Sequence, residues 1–416
     1  MNNTENENRN QTRGGAPVWQ VALLMLLSAA FAATAVLFVF AGGLTKYRIV
    51  DSSKDDGSAL IPDLIDNIEK YYYFSDELPD KEELVNAAAH GLVTAVGDPY
   101  GAYYSDEEYE EFRGTLNGNY KGIGVLISQH EQGAYVQRAY ENNPAADAGV
   151  KDGDIITAVD GSSVAGMDLN AISDLITGEG GTLVTLTVER DGQKLNITVT
   201  RGDVYVRRVY SETLASGIGY IRIESFTGSA ASEFDEALAA LLESGIPSLI
   251  IDIRNDPGGT LDVVIAIADR ILGDCTITTL EGKLVDPPKV YTSTAEKSLS
   301  IPFAVLVNGN SASASEIFAS AVQDNRAGTL VGTNTYGKGI VQTSWAIPSG
   351  GYIKLTIDVY KTPNGRMIHG VGVAPDVTVE QDPDIEGWDL FFIMRDMRDR
   401  DLQLKAAEEL LLGSAG

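Results

Sequence analysis

The chain has 416 residues, a single cysteine, three histidines, and 59 acidic against 31 basic side chains, a formal charge of −28. That much negative charge repels a phosphate backbone and argues against nucleic acid as a partner. The lone Cys275 excludes an internal disulfide and a cysteine-based zinc site, and His90, His130 and His369 lack the paired spacing of metal ligands.

In chain order, residues 1–17 are polar and Asn-rich and read as a disordered tail. Residues 18–42 follow as a transmembrane anchor: Val18 to Phe40 is uncharged and almost wholly apolar, long enough as a helix to cross a bilayer. The rival is a cleaved signal peptide, but the apolar run continues past Ala-Phe-Ala-Ala near residue 30, which favours an uncleaved anchor. Arg9 and Arg13 on one side are balanced by Lys46 and Arg48 on the other, so flanking charge does not set the orientation. A short tail and a large remainder suggest one span of the cell membrane, with the bulk of the chain outside the cytoplasm. Residues 43–59 read as a linker. Within 60–113, Ile61, Leu64, Ile65 and Ile68, and then Leu84, Ala87, Ala88, Leu92 and Val93, keep helical spacing on either side of Pro79.

Short strands replace helices from about Gly114. Gly122–Ile127, Ala134–Val136 and Asp154–Val159 are apolar runs, and Asp160-Gly161 is a hairpin turn signal. A helix is expected over Leu169–Ile176, then strands over Leu183–Arg190 and Leu195–Thr200. Gly122-Ile123-Gly124-Val125, Asn143-Pro144-Ala145-Ala146-Asp147-Ala148-Gly149 and Lys151-Asp152-Gly153-Asp154 together resemble a PDZ domain over 114–203. That resemblance implies a groove in which an extended peptide pairs beside Val125 and Ile127. The peptide's terminal carboxylate would meet the Gly122-Ile123-Gly124 loop, with Ile172 and Ile176 lining the pocket.

Residues 204–380 alternate strands and helices, an α/β pattern. Ile218–Ile223 and Ser248–Ile253 read as strands, and Ala230–Leu242 as a helix stopped by Gly245. The second strand runs into Asn255-Asp256-Pro257-Gly258-Gly259, a turn able to leave N–H groups free for an oxyanion hole. Val305–Thr343 holds the densest chemistry. An apolar run meets Ser311, Ser313 and Ser315, a helical pattern follows, and Lys338 stands between Gly337 and Gly339 with Gln342 four residues on. Ser313 falls at the strand-to-helix turn, where the helix dipole favours an oxyanion. Lys338 can act as its base if apolar surroundings keep the amine neutral.

Three other readings compete. Gly332 to Lys338 has P-loop spacing, but Gly339 stands where a magnesium-binding hydroxyl is required. Ser313, His369 and an aspartate could form a triad. Or the serines are caps and the lysine a solvated charge, leaving a catalytically inactive membrane-bound PDZ scaffold.

Over about residues 60–405 the chain resembles the C-terminal processing peptidases, or tail-specific proteases. The residues that carry this are Asn308–Glu316, Tyr336–Gln342, Arg254–Gly259, Gly365–Asp376 and Gly97-Asp98-Pro99-Tyr100. With the N-terminal transmembrane helix read above, the resemblance implies an α+β multidomain chain: a helical region, the PDZ domain, a crotonase/Clp-like protease core and a C-terminal helical segment over 381–416. It implies Ser313 as nucleophile, Lys338 as general base, Gln342 as its positioner, and Ala314 with Gly258 as the oxyanion hole. No metal or cofactor is implied. The partners would be protein substrates with free C-termini and the membrane, and the helical tail offers a surface for a partner such as a second copy of the chain. Many members carry an arginine before a Gly at the end of the PDZ helix; here that residue is Thr177.

Overall fold

The computed structural model describes residues 59–117, 119–283, 285–294, 298–387 and 390–413. The expected tail, anchor and all of the linker but Ala59 lie outside the described residues. Among the described residues no helix is long and apolar enough to cross a membrane.

The chain divides into two compact units, residues 1–85 and 86–416. In the first, the spacing of Ile61, Leu64, Ile65 and Ile68 forms a helix, Leu60–Tyr71, of which Ile65 is the buried member. The next helix, Lys81–Thr94, contains the division at Val85 and starts with Glu82 and Glu83 in its first turn, where acidic side chains favour the helix dipole.

The second unit opens with strand Ala102–Tyr104 and helix Asp106–Asn117. A two-stranded ribbon, Asn119–Gly122 against Gly202–Tyr205, leads into and out of the PDZ domain. That domain is an antiparallel sheet in the order Val125–His130, Gly133–Ala139, Ile155–Val159, Leu183–Arg190, Gln193–Thr200. Alternate apolar residues, Val184, Leu186 and Val188, point inward against helix Leu169–Ile176. Asp160 and Gly161 both take positive φ, the conformation that the Asp-Gly signal requires of a tight hairpin.

The α/β part that follows is built on a six-stranded sheet. Its order is Val209–Thr213, Gly219–Ile223, Leu249–Asp252, Phe303–Val307, Thr329–Gly332, Val377–Thr378. The first pair is antiparallel and the rest are parallel. Leu249–Asp252 and Phe303–Val307 are buried throughout, because helices cover both faces of a parallel sheet. Helices Ala230–Glu243, Leu261–Asp269 and Ala314–Asp324 pack on one face, and helix Leu402–Gly413 on the other. Arg254, 1% exposed, ties the last of these to the sheet: its guanidinium bonds Asp252, Asp401 and Gln403.

Of a second sheet, the sequence shows only one strand, expected over residues 352–360 and found as Tyr352–Lys361. Ala102–Tyr104, Tyr352–Lys361, Thr276–Gly282 and Val285–Thr292 pair antiparallel in that order, and Ile340–Ala346 joins on Tyr352–Lys361. Pro287 and Pro288 sit in the edge strand, where a missing N–H costs no ladder bond.

Candidate active site

Three neighbouring parallel strands deliver the site. Leu249–Asp252 runs into the Asp256–Gly259 turn, Phe303–Val307 into the serine cluster, and Thr329–Gly332 into the loop carrying Lys338. Loops leaving the carboxyl ends of adjacent parallel strands open into one crevice. A cavity of about 840 Å³ lies there, lined by Ser313, Ala314, Lys338, Gln342, Gly258 and Gly259 among others.

Packing separates the three serines. Ser311 is fully buried and donates to Ile253 O at 2.7 Å, and Ser315, also fully buried, donates to Asp256 O at 3.0 Å. Both hydroxyls are therefore fasteners between the turn carrying Ser313 and the neighbouring loop. Ser313, half-buried, is the one facing the cavity. Its φ of 57° and ψ of −114° put it in a sparsely populated backbone region. Such positions cost about 1–3 kcal/mol and persist only where the surroundings impose them.

Glu316 supplies that constraint, and the sequence reading missed it. Its fully buried carboxylate accepts from Ser313 N–H at 2.9 Å and Lys338 N–H at 2.7 Å on one oxygen. The other oxygen accepts from the Thr335 hydroxyl at 2.6 Å and Gly337 N–H at 2.7 Å. One side chain thus brackets the backbones of both expected catalytic residues. The signal was present as Ser-x-x-Glu at a helix start, the capping-box spacing. These bonds also fill the amide nest of the Gly332–Lys338 loop with an internal carboxylate, which leaves it unavailable to a nucleotide phosphate. Tyr360, buried, adds a second bracket by donating to both Ser313 O (2.9 Å) and Lys338 O.

The side chains of Ser313 and Lys338 share the cavity without being hydrogen-bonded to each other. Lys338 Nζ instead stands 4.2 Å from the centre of the Tyr100 ring. Burial, then the charge of Lys354, pushes its amine below the ordinary lysine value, against the weaker pull of Asp98 and Glu316. Lys354 lines the same cavity and is pinned by donating to the Tyr104 hydroxyl at 2.8 Å. Gln342 is also in the cavity, but its amide donates to Thr356 Oγ1 at 3.0 Å rather than meeting Lys338. Asp98 bonds Thr356 N–H at 2.9 Å, which places the Gly97–Tyr100 turn beside the lysine. His369 is exposed and does not line the cavity, so the structure brings no imidazole to Ser313.

Of the two expected oxyanion donors, Ala314 N–H, at the first turn of its helix, has no acceptor among the described residues. Gly258 N–H does: it donates to Asp256 Oδ1 at 2.8 Å. The correction follows from turn geometry, since an Asx side chain accepts from the amide two residues on. Gly259 N–H is left without an acceptor among the described residues, because the bonds joining this turn to Phe226 use Gly258 O and Thr260 N–H. Gly258 contributes by absence of bulk: a Cβ there would lie 2.6 Å from Ala312 O and 2.8 Å from Ala314 N.

In the PDZ domain, Gly122, Ile123, Gly124, Val125, Ile127 and Ile176 line a cavity of about 270 Å³, together with Ser173 and Thr177. Ile172 does not: it is fully buried in the domain's own core, one helix position round from Ser173. Cys275 is half-buried, packed against the core beside the Ser293 hydroxyl.

Comparison with known proteins agrees with this geometry. The model of "Peptidase family S41" matches residues 217–379, and that of "PDZ domain" matches 122–200. A protein of Staphylococcus haemolyticus named "Probable CtpA-like serine protease" is 31% identical over 91% of this chain and 76% of its own length. A "Carboxy-terminal-processing protease" of Bartonella bacilliformis is 35% identical over 73% of this chain and 71% of its own. The solved "Photosystem II D1 C-terminal processing protease" superposes with a TM-score of 0.50 and 25% identity, over 81% of this chain and 96% of that one.

Proposed function

The chain belongs to peptidase family S41 and is a serine protease, and on that premise we propose a membrane-anchored endopeptidase that cuts proteins near their C-termini. The anchor would be the apolar run Val18–Phe40, holding the catalytic part outside the cytoplasm. The PDZ groove would read the substrate's terminal carboxylate and regulate access to the cavity. The observation that carries the reading is the Glu316 bracket, which fixes the backbones of Ser313 and Lys338 around one cavity while leaving both side chains free to turn.

The chemistry follows from what each group can do. Ser313 Oγ attacks the scissile carbonyl carbon as neutral Lys338 Nζ takes its proton. The oxyanion settles between Ala314 N–H and the free amide of Gly259. Lys338 returns the proton to the leaving amine, and water, activated the same way, hydrolyses the acyl-enzyme. For this the lysine must leave the face of Tyr100 and turn to Ser313, and Gln342 must let go of Thr356 to hold the amine. The test is degradation of a protein substrate with a free apolar C-terminus by wild type, Ser313→Ala and Lys338→Ala. Both variants should be equally inactive, since groups acting as a unit are not additive. Turnover by Ser313→Ala would end the proposal, and equal cleavage of a C-terminally amidated substrate would end the part assigned to the groove.

A further inference from the structure

The peptide groove and the catalytic cavity have no lining residue in common, so occupancy of one reaches the other through the packing between them. The groove strand Val125–His130 pairs with Gly133–Ala139, which sets Val125 opposite Ala139 and Leu126 opposite Arg138. Tyr140 N–H then closes on Gly124 O at 3.1 Å, fastening the end of that second strand to the glycine loop. A displacement of the groove strand is therefore carried by the strand bearing Arg138.

Arg138 leaves the PDZ domain altogether. Its guanidinium bonds Glu224 of the protease core at 3.0 Å, with the two side chains 11% and 15% exposed. The guanidinium carbon also lies 4.1 Å from the Phe391 ring and 4.7 Å from the Tyr210 ring, one from the C-terminal segment and one from the core sheet. Glu224 follows strand Gly219–Ile223 directly, and two residues later Phe226 is bonded into the oxyanion turn. Phe226 N–H donates to Gly258 O at 2.9 Å and Phe226 O accepts from Thr260 N–H at 2.9 Å. Ser225 and Thr227, on either side, line the catalytic cavity. Phe226 is fully buried, its ring 5.7 Å from Phe318 on the nucleophile's helix.

We propose that Arg138 and Glu224 form a positioning pair that transmits occupancy of the peptide groove to the Pro257-Gly258-Gly259 turn. The inference rests on the reading that the groove regulates the cavity, and adds the route by which it does so. Arg138 stands on a strand of the sheet, not on the PDZ helix, so the pair serves this role in a chain that has Thr177 at the end of that helix. A guanidinium seated among three rings, Tyr140 of its own domain at 5.2 Å besides Tyr210 and Phe391, and one carboxylate has a defined seat to occupy or leave, which is what a transmitted signal requires.

The experiment uses the full chain in detergent micelles and an internally quenched peptide substrate whose C-terminus is amidated. A separate apolar-ended peptide with a free carboxylate is the effector, and its amidated form the control. Cleavage is measured with and without effector for wild type, Arg138→Gln, Glu224→Gln and the double variant. The effector should stimulate wild type. Each single variant should keep the basal rate and lose roughly tenfold of that stimulation, the usual size of such coupling. The double variant should lose no more than Glu224→Gln alone, because that variant already removes the Arg138 contact together with the Glu224 pair to Arg222 at 3.4 Å. Effector binding, followed by anisotropy of a labelled effector, should stay saturable in every variant. Undiminished stimulation in the variants overturns the inference while leaving regulation by the groove intact. Saturable binding that stimulates not even wild type overturns both. If Arg138→Gln melts early, the near-isosteric Glu224→Gln decides.

Discussion

Gly258→Ala tests whether closeness of the oxyanion turn to the nucleophile matters as the structure says. Gly258 has φ +100°, and an added Cβ would sit 2.6 Å from Ala312 O, 2.8 Å from Ala314 N and 2.9 Å from Ser313 Cβ. Two of these atoms are backbone and cannot swing aside. Ordinary contact begins at 3.4 Å, so the turn and the nucleophile must part by 0.5 to 0.8 Å, the differences from 2.9 and 2.6 Å. The positive φ adds about 1–3 kcal/mol of strain. Since a misplacement of 1 Å at reacting groups costs about a hundredfold, kcat on a quenched peptide should fall by roughly ten- to a hundredfold. The melting temperature should fall as well. Gly217→Ala is the control: φ is +84° with nothing within 4 Å of the added Cβ. It should cost about 1 kcal/mol of stability and no kcat. Wild-type kcat in Gly258→Ala, or an equal kcat loss in Gly217→Ala, would refute the reasoning.

The remaining predictions concern the lysine and its surroundings. The proposed mechanism needs Lys338 neutral, and burial holds its amine below the ordinary 10.5, so kcat/KM should rise with pH through a midpoint below 10.5. Lys354→Met removes the neighbouring cation and should move that rising limb to higher pH; an unmoved limb would deny Lys354 its influence. Glu316→Gln keeps one acceptor oxygen where the carboxylate had two and turns an NH₂ toward two of its four donors. With charge-assisted bonds near 1.5–3 kcal/mol each, it should destabilise by about 3 kcal/mol on denaturant unfolding and abolish most activity. Tyr100→Leu removes the ring that holds Lys338 Nζ at 4.2 Å. An exposed cation–π contact is worth about 0.5–1 kcal/mol, so the basal rate should rise about two- to fivefold. A falling rate would mean that the ring positions the amine for the reaction.

Elements whose burial sets a period were legible in the sequence. Helix Leu169–Ile176 forms over its expected span, and the helical pattern after the serine cluster becomes helix Ala314–Asp324. The continuous apolar runs at Leu249 and Phe303 become central strands because both faces are covered. The second sheet, apart from its strand Tyr352–Lys361, was hidden for the opposite reason. Ile340–Ala346 is half-exposed with no clean alternation, and the Val285–Thr292 edge contains two prolines, so pairing partners and not local pattern decide those strands. At the site, residue types and turn positions marked Ser313 and Lys338. Which amide of Pro257-Gly258-Gly259 stays free was not readable, because it depends on Asp256 curling back onto Gly258. Nor was Ile172, whose place depends on how the PDZ helix is rotated against its sheet.

The same arrangement explains how a site can be assembled yet resting. Glu316 and Tyr360 hold the main chains of the serine and lysine segments, so closing the dyad requires rotation of the Lys338 side chain and no backbone rebuilding. What opposes the rotation is small: the cation–π contact with Tyr100 and the Gln342–Thr356 bond, each worth on the order of 1 kcal/mol. What favours it is comparable, a Ser–Lys hydrogen bond formed by an amine that burial already inclines to lose its charge. With the two states so nearly balanced, a coupling of about 1–3 kcal/mol from an occupied groove is enough to reverse their populations. On the proposed reading, a contact that leans on the oxyanion turn when the groove is occupied is enough to switch the cavity. Tyr100→Leu and Glu224→Gln perturb opposite sides of that balance. Their combination should give an enzyme with raised basal cleavage that the effector peptide no longer stimulates. An enzyme that the effector still stimulated would show that the ring and the pair do not act on one equilibrium.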